Sequence, residues 1–136
     1  MTGYNWENNA SHAGTDWENS NDDYMTWIMD IPDSKKNEPG IVITSFHDGS
    51  IKKGSYSLIT LQMAGYAARD KNGMVTEDET APSKRWVECI ADKGEQLSLK
   101  PDTSNNFVFM NEEVNFLIKV GSKNSIFDCH SRKILK

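Results

Sequence analysis

Five carboxylates and three tryptophans crowd the first 28 residues: Glu7, Asp16, Glu18, Asp22 and Asp23, with Trp6, Trp17 and Trp27 among them. Two carboxyl groups placed across a glycosidic bond can cut it, at about 5 Å separation for retention and wider for inversion. Separation along a chain does not give separation in space, and for any one pair a solvated acidic loop is the simpler reading. The tryptophans carry more weight. An indole face can stack on the apolar face of a pyranose while asparagine amides serve its hydroxyls. Aromatic packing that pins a long loop is the competing use, preferred for Trp6 and Trp27 and evenly matched for Trp17. Histidines 12, 47 and 130 show no paired ligand spacing, and neither a nucleophile elbow nor a phosphate-binding glycine loop is present. Cys89 and Cys129 lie far apart with no CxxC spacing, which suits two unrelated thiols better than a zinc site, a disulfide being the alternative.

Charge narrows the ligand class. No Lys or Arg precedes Lys35, so the net charge of −5 sits wholly at the front of the 136-residue chain. An acidic, Trp-rich front repels phosphates and suits neutral polar ligands, of which sugars are the obvious class. Mean hydropathy of −0.64 and the lack of a long apolar run argue against a membrane span, and the acidic balance against a nucleic-acid partner. The first 15 residues have neither the basic nor the apolar part of a signal peptide.

Several elements must position these residues. Residues 2–23, rich in Asn, Gly, Ser and Asp, read as a long ordered loop. Ser20 is placed to cap a helical turn with Tyr24, Trp27 and Ile28 on one face. IVITSFHDGSIKKG predicts a helix closed by Gly54, and SLITLQM predicts a strand buried on both faces. RWVECIA alternates as a short strand. Met110, Val114, Leu117 and Ile118 predict an amphipathic helix with Gly121 as its stop. Helix, buried strand and helix together suggest an α/β architecture with parallel strands.

The run MTGYNWENNASHAGTDWENSNDDY resembles the hallmark segment of the glycoside hydrolase family 44 catalytic domain. The likeness continues in order through PGIVITSFHDGSIKKGSYSLITLQMAGYAA, ETAPSKRW and LKPDTSNNFVFMNEEVNFLI. This resemblance implies a retaining enzyme cutting internal β-1,4 linkages of cellulose-type glucans or xyloglucan, secreted as the full-length parent. The implied fold is a partial (β/α)8 TIM barrel, truncated at both ends, in which SLITLQM is an early strand and Tyr66 faces the cleft at its C-terminal end. Trp17 matches a family tryptophan that lines the glucan cleft, with Trp6 as a further substrate-binding candidate. Family members also carry structural calcium, for which Glu7 and Asp102 are implied ligands. Asn105 stands where relatives tend to have Asp, which lowers the charge of such a site.

The resemblance also implies what is missing. The family's acid/base Glu lies in an Asn-Glu-Pro motif after a barrel strand downstream of the matched region, and its nucleophile lies later still. Asn37-Glu38-Pro39 copies the motif but sits in a polar connection before a helix, so Glu38 is expected to be a solvated helix-entry residue. Residues 1–121 are expected to be a fragment of the catalytic domain, and 122–136 a divergent, nonnative tail. Such a fragment is expected to be marginally stable and to lack the catalytic pair. The alternatives are a noncatalytic glucan-binding module and the nonfunctional product of a disrupted gene.

Overall fold

The opening segment, expected as a loop, forms strands. In a computed structural model describing residues 2–14, 18–61, 63, 65–97, 100–101, 103 and 106–123, β1 (Thr2–Asn5), β2 (Ala10–His12) and β3 (Ser20–Asp22) lie antiparallel. β5 (Gly73–Met74) joins the far edge and gives the order β1-β2-β3-β5. The turn chemistry that suggested a loop is used between the strands. Asn9 and Asn19 take positive φ of 59° and 48°, a conformation that asparagine tolerates better than most side chains.

A second sheet holds β4 (Tyr66–Ala68), β6 (Trp86–Ile90) and β7 (Phe107–Phe109). β6 pairs antiparallel with β4 and parallel with β7. The parallel architecture read from the sequence is therefore met in one strand pair among the described residues. β6 falls where RWVECIA predicted it.

The central helix is as expected. α2 (Ile41–Lys52) buries Val42, Ile43 and His47. Gly54, at φ +70°, closes it by donating to Ile51 O while Ser55 donates to Ser50 O, a Schellman cap. α1 (Tyr24–Ile28) differs: Ser20 belongs to β3, Asp23 occupies the N-cap, and the expected apolar face points outward. Tyr24, Trp27 and Ile28 are exposed, with the two rings 5.9 Å apart, and only Thr26 is buried. α3 (Met110–Lys123) runs through Gly121, which is buried inside the helix instead of ending it.

SLITLQM departs most from expectation. Residues 57–61 have no regular secondary structure and belong to no strand ladder among the described residues. Ser57, Ile59 and Leu61 are half-buried, whereas Leu58 is 88% exposed. An apolar, β-branched run is a strand only where neighbours accept its backbone, and among the described residues no strand pairs with it.

The core gathers Trp6, Ile43, Ala67, Val87 and Val108, with Tyr4, Phe116 and Leu117 packed around them. Trp6 meets the Phe116 ring at 5.1 Å between centroids. Gly40, the N-cap of α2, donates to Trp6 O at 2.7 Å, so the turn after β1, the start of α2 and the face of α3 share one point.

Candidate functional site

The asparagines proposed to serve sugar hydroxyls are committed to the fold. Asn5 and Asn8 donate across to the end of β4 and the residue after it, Nδ2 reaching Ala68 O at 3.0 Å and Arg69 O at 2.7 Å. Asn9 Nδ2 donates to Lys36 O and Glu38 O while its Oδ1 accepts from the Tyr4 hydroxyl. Asn21 Nδ2 donates to Arg85 O, and its Oδ1 meets His12 Nδ1 at 3.0 Å. Asn19 Nδ2 donates to Val75 O. Side-chain amides bond backbone groups as readily as a strand would, and here they tie the first sheet to the second.

Two of the front carboxylates, Asp22 and Asp23, are likewise occupied. Asp22 accepts from Ser11 Oγ and from Tyr24 N. Asp23 pairs with Lys36 at 3.2 Å. Partial burial opposes ionisation of Asp23, but the Lys36 ammonium prevails and holds its carboxyl below the usual range. Glu38 is exposed at the bend before α2, as expected for a helix-entry residue.

The substrate-binding candidates separate. Trp6 is 2% exposed, so both faces of its indole are used in packing and neither is open to a sugar. Trp17 lies outside the described residues. It falls between Gly14 and Asn19, which close the β2–β3 connection through Asn19 N to Gly14 O at 2.9 Å. Tyr66 is half-buried at the start of β4, opposite Glu88. The surface tryptophan that sequence reasoning misassigned to packing is Trp27, 68% exposed beside Tyr24.

Glu7 is buried. Burial pushes the Cys89 thiol up to about 11, with Glu113, Glu7 and Glu88 adding to it, and burial and Glu113 likewise raise the Tyr4 phenol. Glu112 and Glu113 open α3, where the helix dipole favours negative charge, and Lys93 Nζ meets Glu112 at 3.1 Å. A buried carboxylate is in kind an oxygen ligand for a hard cation. Among the described residues, however, no three acidic, His or Cys side chains form a metal-binding group, and Asp102 and Asn105 lie outside those residues.

Arg85 was not singled out from the sequence. Nε and Nη2 grip Asp70 at 2.6 and 2.9 Å, and Nη1 reaches Glu79 at 2.9 Å. Gly73 O and Met74 O take further guanidinium protons. This fork fixes the 70–79 connection that supplies β5. Its only sequence signal is the acidic content of that connection.

Comparison with known proteins identifies the chain's relatives. The profile of glycoside hydrolase family 44 matches residues 2–127. Over 118 residues, 87% of this chain, the sequence is 52% identical to the β-mannanase/endoglucanase A of Caldicellulosiruptor saccharolyticus and to endoglucanase A of Paenibacillus lautus. It spans only 9% and 17% of those proteins. Among solved structures, a Paenibacillus polymyxa family 44 xyloglucanase with xyloglucan superposes over 88% of this chain and 23% of its own, at 50% identity and a TM-score of 0.84. A family 44 endoglucanase from Clostridium acetobutylium covers 91% of this chain and 24% of its own, at 47% identity and a TM-score of 0.86. Sequence identity near one half, carried over nearly the whole chain on the same backbone course, places this protein in glycoside hydrolase family 44.

Proposed function

We propose that the chain forms part of the substrate cleft of a retaining glycoside hydrolase acting on internal β-1,4 linkages of cellulose-type glucans or xyloglucan. The observation that carries this is the 50% identity, with a TM-score of 0.84, to a family 44 xyloglucanase solved with xyloglucan. Here the chain supplies one wall of a (β/α)8 barrel cleft through the β2–β3 connection bearing Trp17, with Tyr66 a second wall residue. It does not itself supply the acid/base or the nucleophile. The parent enzyme works outside the cell, where a polymeric glucan is reached.

The reading predicts binding without cleavage. In affinity electrophoresis the purified chain is retarded by xyloglucan, Trp17→Ala abolishes the retardation, and no reducing sugar is released by either protein. Release of reducing sugar that Glu38→Gln stops would overturn it.

Calcium binding belongs to the same reading. Glu7, Asp102 and Asn105 would hold the ion, which supplies no chemistry beyond cross-linking the turn after β1 to the 100–106 segment. The burial of the Glu7 carboxylate supports its use as a ligand. Millimolar calcium should raise the melting temperature of the wild-type chain and leave that of Glu7→Gln unmoved, as read by calorimetry. Equal responses in the two proteins would remove Glu7 from the site.

A further inference from the structure

α1 turns its largest side chains away from the fold. Thr26 is buried, with Oγ1 donating to Asp23 O at 2.8 Å, and Met25 and Met29 line a cavity of about 320 Å³ together with Tyr4, Val42 and Ile43. Tyr24, Trp27 and Ile28 occupy the opposite face, at 45%, 68% and 48% exposure. The helix that carries them is tied at both ends. Tyr24 N donates to Asp22 Oδ1 at its start, while Asp30 N donates to Trp27 O and Ile31 N to Thr26 O at its end. Lys36 straps Asp23 to Asp33, at 3.2 and 3.0 Å. Surface rings on a backbone fixed in this way lose little freedom when a ligand lands on them.

The three side chains together present roughly 350 Å² to solvent. Patches of about 300–600 Å² on monomers are often functional, yet a stable protein complex buries roughly 800 Å² of each partner. The size suits a ligand of a few rings. Beside the start of the helix, Asp23, Lys36 and Asp33 carry both signs of charge, which gives no field to select an ion but supplies hydrogen bonds to hydroxyls. Apolar faces edged with hydroxyls describe a pyranose. The two aromatic rings lie 5.9 Å apart and are tilted by 34°, which suits one chain whose successive sugars turn and not a flat crystalline surface. We propose that Trp27, braced by Tyr24, is a stacking platform for a single β-1,4-glucan chain, separate from the wall formed by the β2–β3 connection. That connection enters β3 at its first residue, whereas α1 follows its last. The platform takes its ligand class from the glucan reading but shares no residue with it.

Titration of the 136-residue chain with cellohexaose tests this, followed by nuclear magnetic resonance through the indole N–H signals of its four tryptophans, with Trp27→Phe assigning the signal at issue. An open platform grips weakly, so titration in solution is the readout instead of retardation in a gel. The Trp27 signal is expected to shift saturably, to do so equally in Trp17→Ala, and to need about tenfold more ligand in Tyr24→Ala. Tyr24 is exposed, so its removal leaves the fold intact, which circular dichroism of the variant verifies. A Trp27 signal that stays still, moves equally with maltohexaose, stops moving in Trp17→Ala or moves alike in Tyr24→Ala would overturn the proposal. So would a dimer of the chain that Trp27→Ala splits. A shifting Trp27 signal in a chain that xyloglucan does not retard would support the platform and count against the cleft wall.

Discussion

Five asparagines of the first 21 residues direct their amides at backbone carbonyls, one of them in the second sheet and two at the ends of its strands. The sequence made their number plain but not their direction, because an amide bonds a sugar hydroxyl and a carbonyl equally well. Trp6 and Trp27 show the same limit. Two indoles in similar polar company end at 2% and 68% exposure, and only the partners brought by Phe116 and α2 decide which is buried. Cys89 offers a test at this scale. Its thiol is raised from 9 to about 11 by burial first and by nearby carboxylates second. Between those values the unfolded chain loses a proton that the native chain keeps, so the thiol's contribution is complete below pH 9 and lost as pH rises through 11. Denaturant titrations between about pH 8 and pH 10 should therefore show stability falling for the wild type and a flatter course for Cys89→Ser. Parallel courses would show that the thiol does not drive the loss.

At the scale of elements, local rules succeeded where an element is finished by its own residues. α2 is delimited by Gly40 and a Schellman cap at Gly54, both legible as residue types, and β6 follows its alternation. They failed where a neighbour decides. SLITLQM has the composition of a buried strand, yet its described residues, 57–61 and 63, join no ladder among the described residues, and Gly121 sits inside α3, where it lines a cavity instead of ending the helix. The junction at Gly40 yields a sharper expectation. Its φ is +70°, and a β-carbon there would overlap the Phe116 ring that stacks on Trp6. Gly40→Ala combines backbone strain with overpacking, and should cost about 3 kcal/mol as measured by chemical denaturation. A loss below about 1 kcal/mol would mean that Phe116 can swing aside.

For the molecule as a whole, resemblance carried more than periodicity. Family membership was legible because ordered matches recur from Gly3 to Ile118, whereas the two-sheet arrangement was not, being set by contacts that no window of sequence contains. Those contacts also impose a timetable. Asn5, Asn8 and Asn21 reach partners 63, 61 and 64 residues further along. A ribosome adding about 5–20 residues per second leaves the first sheet without its anchors for roughly 3–13 s after it emerges. Chains stopped at residue 64 should lose the opening segment to protease at the rate of an unfolded peptide, and protection equal to that of the whole chain would refute this. The amides that fasten the amino-terminal sheet therefore also delay its fixing until residues 68–85 have been made, although it is the first part of the chain to emerge.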